Sequence, residues 1–127
     1  MLHQSTTAVT LNGHAANRTF FEPAVADKNA LHIAHVDGDG RCLHLAHYPD
    51  GAAEPLPASA IIRDAAELGS AGIVMAHRQS QAPVAEPRRW TETRMLADAV
   101  ELIQVTLLDH LVFHGRDCIS LRRSGVL

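Results

Sequence analysis

The sequence has few aromatic residues, few cysteines and no long apolar run. Aromatic residues make up only 4% of 127 residues, so a core has to be built mainly from aliphatic side chains. Cys42 and Cys118 stand far apart and match no zinc or redox spacing, and we expect reduced core thiols in a cytoplasmic protein. No stretch reaches the roughly 18 apolar residues of a membrane span, and residues 1–16 lack the pattern of a signal peptide.

An excess of positive charge is also missing. The formal net charge is −3, which argues against a broad electrostatic grip on nucleic acid or on an anionic membrane. Apolar residues make up 46% of the chain and charged residues 20%, a balance typical of a chain that buries a core. The length is that of one ordinary domain. The sequence therefore predicts a single globular domain.

Apolar periodicity predicts alternating strands and helices from residue 31 onward. We predict strands over 31–36, 41–48, 72–76, 107–113 and 118–121, a helix over 57–68, and a second helix capped by Thr91 or Thr93. Asp37-Gly38-Asp39-Gly40 is typical of a tight turn that joins the first two strands into a hairpin, and Gly69 is placed to end the first helix. The order β-β-α-β-α-β-β predicts an α/β fold with a mixed sheet flanked by helices.

Residues 1–28 show no comparable pattern. We predict a partly ordered leader there, followed by a domain over 29–127. One short piece at 19–22 is expected to dock, because Phe20 and Phe21 just before Pro23 are typical of a lid on the core.

The C-terminal half resembles a known family. An apolar strand over 73–76 runs into His77, and a proline-containing loop and a helix follow. Leu107-Leu108-Asp109-His110 then begins a later strand, Ser120 lies on the closing strand, and Gly125 stands near the end. This arrangement resembles the RadC-like JAB domain, within the wider JAB/MPN metallopeptidase group. The resemblance covers residues 28–127 and implies a JAB/MPN fold, which is a cytidine-deaminase-like architecture.

The resemblance also implies a metal-dependent chemistry. In the family, two histidines and an aspartate hold Zn²⁺ and leave an open position for water, and a glutamate at the start of the first strand is the general base. Zinc lowers the pKa of its bound water to about 7, which produces a nucleophile for amide hydrolysis. A working member needs all four of these side chains.

The metal motif is degenerate in this chain. His77 matches the first ligand, but Gln79 stands at the second histidine, and an amide is a poor zinc ligand beside imidazole. The aspartate is expected about eleven residues further on, where Arg88, Arg89 and Trp90 stand, and a cation such as Arg89 repels Zn²⁺. The family-equivalent metal positions His77, Gln79 and Arg89 are therefore not expected to hold zinc, and we expect no cofactor.

The catalytic positions are altered as well. The general base is expected just before the first strand, where Asn29 cannot usefully accept a proton. Ser80 is displaced by one position from the serine of the family's loop. We therefore expect a pseudoenzyme, a non-catalytic JAB/MPN-fold protein that acts by binding an unknown protein partner.

Two other functions stay open. Nine histidines leave room for a zinc-dependent peptidase or isopeptidase with rearranged ligands, such as His35 or His47 beside His77. The family's DNA-repair label suggests a nucleic-acid-binding domain, with Trp90 available for stacking, although the net charge makes nucleic acid an unfavoured partner. His35, His77, Arg88 and Trp90 define a candidate groove. An edge strand of the hairpin or an exposed helix is a candidate homodimer surface.

A nucleophilic triad from Asp109, His110 and Ser120 is not predicted. Adjacent strand residues point to opposite faces of a sheet, and no glycine-rich elbow surrounds Ser120. We expect His110 to have a packing or hydrogen-bonding role instead.

Overall fold

A five-stranded mixed sheet forms the centre of the fold. The computed structural model describes residues 9–26, 30–49 and 55–127. The elements in chain order are α1 (His14–Phe21), β1 (Leu31–Val36), β2 (Cys42–Tyr48), α2 (Ala58–Leu68), β3 (Gly72–Arg78), a 3₁₀ helix (Pro87–Trp90), α3 (Thr91–Glu101), β4 (Thr106–His114) and β5 (Asp117–Ser120). The predicted mixed sheet flanked by helices is confirmed, and the predicted element order from residue 31 onward is the order observed.

The strands lie in the order β2-β1-β3-β4-β5. β1 is antiparallel to both β2 and β3, β3 and β4 are parallel, and β4 and β5 are antiparallel. The predicted tight turn joins β1 to β2, and the carboxylate of Asp37 accepts hydrogen bonds from the backbone N–H groups of Asp39 and Arg41 at 2.9 Å. α3 belongs to the crossover between β3 and β4 that a parallel pair requires.

Both faces of the sheet are covered. β1 is buried along its whole length and β3 along all but its last residue, as expected for continuous apolar strands under helices on both faces. On one face, Ile61 and Ala65 of α2 and Leu96 and Val100 of α3 pack in one cluster with Ile73 of β3. Each helix pair is spaced by four residues, which places both side chains on one stripe.

The opposite face is covered by α1, which the sequence did not predict as a helix. Only a docked piece at 19–22 was expected, whereas α1 begins at His14 and buries Asn17 and Phe21. Because a polar Asn takes one of the two inward positions, the helix has no apolar stripe that a periodicity argument detects. Phe21 and Val25 are completely buried in the second core cluster.

The predicted ends of the helices have mixed outcomes. Gly69 ends α2 in the left-handed conformation at φ 65°, as predicted. The predicted capping of α3 by Thr91 or Thr93 is wrong, because the 3₁₀ helix runs directly into α3 and Trp90 occupies the cap position without a side-chain hydrogen bond. In the described ranges, no helix has both the length and the apolar character needed to cross a bilayer.

Candidate functional site

The candidate site lies at the C-terminal end of β3, beside the middle of β4 and beneath the start of α3. His77 is near the end of β3, and His110 lies on β4 opposite Met75 in the parallel register. Met75 and His77 are two residues apart, so they share a sheet face with His110. The loop from β3 returns through the 3₁₀ helix and brings Trp90 and Thr93 over this face. The fold therefore gathers residues from three separate segments.

A cavity of about 400 Å³ opens above these side chains. Its size is within the range usual for small-ligand sites. The lining residues are Leu56, His77, Gln79, Arg88, Arg89, Trp90, Thr91, Glu92, Thr93 and His110. Three positions of the degenerate metal motif, His77, Gln79 and Arg89, therefore line one cavity.

A chain of four hydrogen bonds forms the floor of the cavity. Thr93 Oγ1 lies 3.1 Å from His110 Nδ1, and His110 Nε2 lies 2.8 Å from His77 Nδ1. His77 Nε2 lies 3.0 Å from Gln79 Oε1, and Gln79 Nε2 donates to the backbone carbonyl of Gln81 at 2.9 Å. We call these contacts the His77–His110 chain.

For neutral rings, the direction of every bond in the His77–His110 chain follows from its last member. A backbone carbonyl only accepts, so the amide nitrogen of Gln79 faces Gln81 and its oxygen faces His77. His77 Nε2 must then carry a proton and donate it, and a neutral His77 accepts at Nδ1 from His110 Nε2. His110 in turn accepts at Nδ1 from the hydroxyl of Thr93. When both imidazoles are neutral, they therefore share the Nε2–H tautomer.

Burial favours the same protonation state. Loss of solvent lowers the pKa of His77, although the hydrogen bond with Gln79 acts in the opposite direction. The pKa of His110 is lowered further, first by its complete burial and then by the neighbouring His77. At neutral pH the floor of the cavity is thus polar but uncharged.

These residues do not fit a zinc ion. A metal ligand needs a free lone pair on a ring nitrogen, and His77 uses one nitrogen to donate and the other to accept. Trp90, the residue eleven positions after Gln79, fills the adjoining space with its ring centroid 6.3 Å from that of His77 and 5.5 Å from that of His110. Across the described ranges, no group of three or more His, Cys, Asp or Glu side chains is placed to hold a metal.

The two arginines of the cavity differ in their contacts. Arg88 Nε lies 3.0 Å from Glu86 Oε2. Arg89 has no carboxylate within ion-pair distance in the described part of the chain. The indole N–H of Trp90 donates to the carbonyl of Val84 at 2.7 Å, which fixes the ring against the cavity.

Two predicted site residues lie elsewhere. Ser80 is exposed and does not line the cavity. His35 shares a sheet face with His77, but it pairs with Ile73, four residues before His77 on β3. It is completely buried there, and its Nδ1 lies 2.9 Å from Ser70 Oγ. Three of the four residues of the candidate groove, His77, Arg88 and Trp90, line the cavity, and His35 does not. Asn29, the predicted position of the general base, lies outside the described residues.

The rearranged-ligand alternative also named His47. Its ring stacks on His32 with centroids 4.8 Å apart. His32 pairs with Ala76 on β3, and the neighbouring His77 points to the other face. His47 therefore lies on the opposite side of the sheet from the cavity.

Asp109, His110 and Ser120 do not form a triad, as predicted. The carboxylate of Asp109 accepts a hydrogen bond from Ser120 Oγ at 2.5 Å and from the backbone N–H of His110 at 2.7 Å. The His110 ring points instead to His77 and Thr93. Sequence reasoning missed Thr93 as a member of the site, because a threonine near a helix start is also typical of a cap.

The fold and the site define an α/β domain of JAB/MPN architecture with an altered motif. A family model for the RadC-like JAB domain matches residues 11–126, and the chain belongs to that family. The predicted resemblance is therefore confirmed, and the match includes α1.

Relatives in three Burkholderia species are similar to this chain. UPF0758 proteins of Burkholderia cenocepacia (strain HI2424), Burkholderia ambifaria (strain MC40-6) and Burkholderia vietnamiensis (strain G4 / LMG 22486) are 41%, 40% and 39% identical over 70 residues. The matched segment is 53% of this chain and 26% of each relative. It thus spans about a quarter of the length of these relatives.

Proposed function

We propose that this chain is a non-catalytic member of its family and that it binds another protein at the cavity between β3, β4 and α3. The observation that carries this proposal is the state of His77, whose two ring nitrogens are both engaged by side chains of the same chain. His77 is the one ligand position of the family motif that keeps its residue type here.

Zinc binding by His77 is energetically unfavourable. The ring has to break its contact with Gln79 or with His110 before a nitrogen is free, and a buried polar group left without a partner costs about 1–3 kcal/mol. The neighbouring positions offer the amide of Gln79, the guanidinium of Arg89 and the indole of Trp90, none of which compensates as a zinc ligand. The binding free energy that one imidazole supplies is too small to keep zinc bound to the protein instead of hydrated in solution.

A binding role agrees with what the cavity presents. Arg89 and Trp90 stand at its wall, and arginine and tryptophan are enriched among the residues that contribute most to protein interfaces. The Trp90 ring is already held by Val84, so little ordering is required when a partner binds.

A zinc peptidase with rearranged ligands is the second candidate. It is favoured by Glu92, whose carboxylate lines the same cavity as His77 and His110. However, Glu92 Oε2 accepts a hydrogen bond from the backbone N–H of Leu56 at 2.6 Å, so this side chain is already engaged. Nucleic-acid binding is less favoured, since the Trp90 ring packs on the two histidines and is not free for base stacking on that side.

Zinc content and hydrolysis test the non-catalytic part of the proposal. Purified untreated protein is expected to carry far less than one zinc ion per chain by elemental analysis and to leave peptide substrates intact when zinc is added. The double variant Gln79→His/Trp90→Asp, which restores two ligand types, is the positive control for metal uptake. Stoichiometric zinc in the unaltered protein, lost in His77→Ala, contradicts the proposal.

Cross-linking tests the binding part. A photo-reactive amino acid at Thr91, which lines the cavity, is expected to give a discrete protein adduct in cells. The matched control carries the same group at Asp98, an exposed position of α3 outside the cavity lining. Absence of an adduct from Thr91, or identical adducts from both positions, refutes binding at this cavity.

A further inference from the structure

We propose that the cavity binds a carboxylate group of the partner polypeptide, with the Arg89 guanidinium as its counter-ion. This inference rests on the proposed function and names the chemistry that the site recognises. It follows from the charges around the cavity, the closed set of hydrogen bonds at its floor and the fixed apolar wall.

The charges around the cavity leave one guanidinium without a partner. Arg88 is neutralised by Glu86, and the carboxylate of Glu92 is held by the backbone N–H of Leu56. Arg89 has no such contact among the described residues and is exposed at the cavity wall. An anion that enters the cavity therefore finds Arg89 available without breaking an existing ion pair.

The floor of the cavity offers no free hydrogen-bonding nitrogen, because every ring nitrogen of His77 and His110 is engaged within the His77–His110 chain. A single guanidinium beside Glu92 matches an anion of one charge better than a phosphate group, which carries about −1.5 to −2 charges at pH 7. Carboxylates also form two parallel hydrogen bonds with the planar guanidinium.

The cavity wall suits an apolar group beside that carboxylate. Leu56 and the Trp90 ring both line the cavity, and the hydrogen bond to Val84 holds the ring in place. Two positions in a polypeptide present a carboxylate next to an apolar group: a C-terminal residue, and an acidic side chain beside an apolar neighbour. Both share the chemistry that Arg89 recognises.

The single tryptophan of the chain makes the test direct. Trp90 is the only tryptophan, so fluorescence excited selectively at the indole reports the cavity. The probes are acetyl-glycyl-leucine as the free acid, the same peptide as the amide, acetyl-aspartyl-leucine amide, and inorganic phosphate. The first and third probes separate a terminal carboxylate from a side-chain carboxylate.

At least one carboxylate probe is expected to saturate the fluorescence change and to bind about tenfold more tightly than the neutral amide. Arg89→Gln is expected to abolish this difference. The matched control Arg94→Gln changes an exposed arginine of the adjoining helix α3 that does not line the cavity, and it is expected to preserve the difference. Circular dichroism confirms that both variants are folded.

Four results overturn the inference: neither carboxylate probe binds more tightly than the neutral amide, Arg89→Gln leaves the preference unchanged, phosphate binds more tightly than either carboxylate, or no probe reaches saturation. If the inference fails while the zinc-free, inactive protein still gives a discrete adduct from Thr91, the proposed function is intact, so the two failures are distinguishable.

Discussion

Replacement of His35 by glutamine tests how the buried histidines set the pH dependence of stability. His35 is completely buried on β1, and burial lowers its pKa from 6.5 to about 4. The nearby His44 ring lowers this pKa further, and Asp64 partly offsets the shift. Glutamine keeps polar atoms near Ser70 but has no proton to gain.

The direction of the effect follows from proton linkage. Above pH 6.5 His35 is neutral in both the folded and the unfolded chain and contributes nothing. As the pH falls below 6.5, His35 binds a proton in the unfolded chain but stays neutral in the folded chain. The free energy of unfolding therefore falls until the pH reaches the folded pKa of about 4. At pH 5 the loss from this one group is about 2 kcal/mol, since each pKa unit corresponds to about 1.4 kcal/mol.

Urea unfolding at pH 7.5 and pH 5, followed by circular dichroism, measures this loss. His35→Gln is expected to reduce the stability difference between the two pH values by about 2 kcal/mol relative to the unaltered protein. The control is His47→Gln, an exposed histidine of the same hairpin, which is expected to keep most of the difference. An equal pH dependence in His35→Gln and in the unaltered protein refutes the reasoning.

Two further predictions concern packing, and both are measured by urea unfolding. Phe21→Ala is expected to cost about 3–5 kcal/mol because the ring is completely buried, and Phe20→Ala, at a partly buried position, is expected to cost clearly less; equal losses contradict the account of α1. Gly72→Ala is expected to cost about 1–3 kcal/mol because an added Cβ meets Leu108 Cδ1 at 2.9 Å. Gly38→Ala has open space and is expected to cost little, so similar effects of the two changes argue against close packing of β3 on β4.

Most elements of the fold are predictable from local sequence patterns. The turn at 37–40 and the apolar runs of β1 and β3 depend on neighbours in sequence, so residue type alone predicts them. α1 is not predicted from the sequence because Asn17 occupies an inward position. Periodicity detects a helix by apolar residues at its inward positions. Its burial against the sheet is a tertiary effect.

The candidate site was predictable only where the family resemblance supplied positions. His77 and Gln79 were found in this way, but their hydrogen bond with one another depends on the loop that follows β3. The prediction that His35 belongs to the groove has the right sheet face, because His35 and His77 lie on the same side of the sheet. The strand register, however, separates the two residues by about 13 Å along the strand. The partnership of His77 with His110 depends on the parallel pairing of β3 and β4, which residue types alone do not set.

The tautomers of His77 and His110 test the central claim most directly. Long-range ¹H–¹⁵N correlation spectra of the ¹⁵N-labelled protein at pH 7 report which ring nitrogens carry protons. Both histidines are expected to be neutral with the proton on Nε2, and equimolar zinc is expected to leave their shifts unchanged. A His77 nitrogen that shifts on addition of zinc, or a His77 protonated on Nδ1, contradicts the closed hydrogen-bond chain and the loss of the metal site.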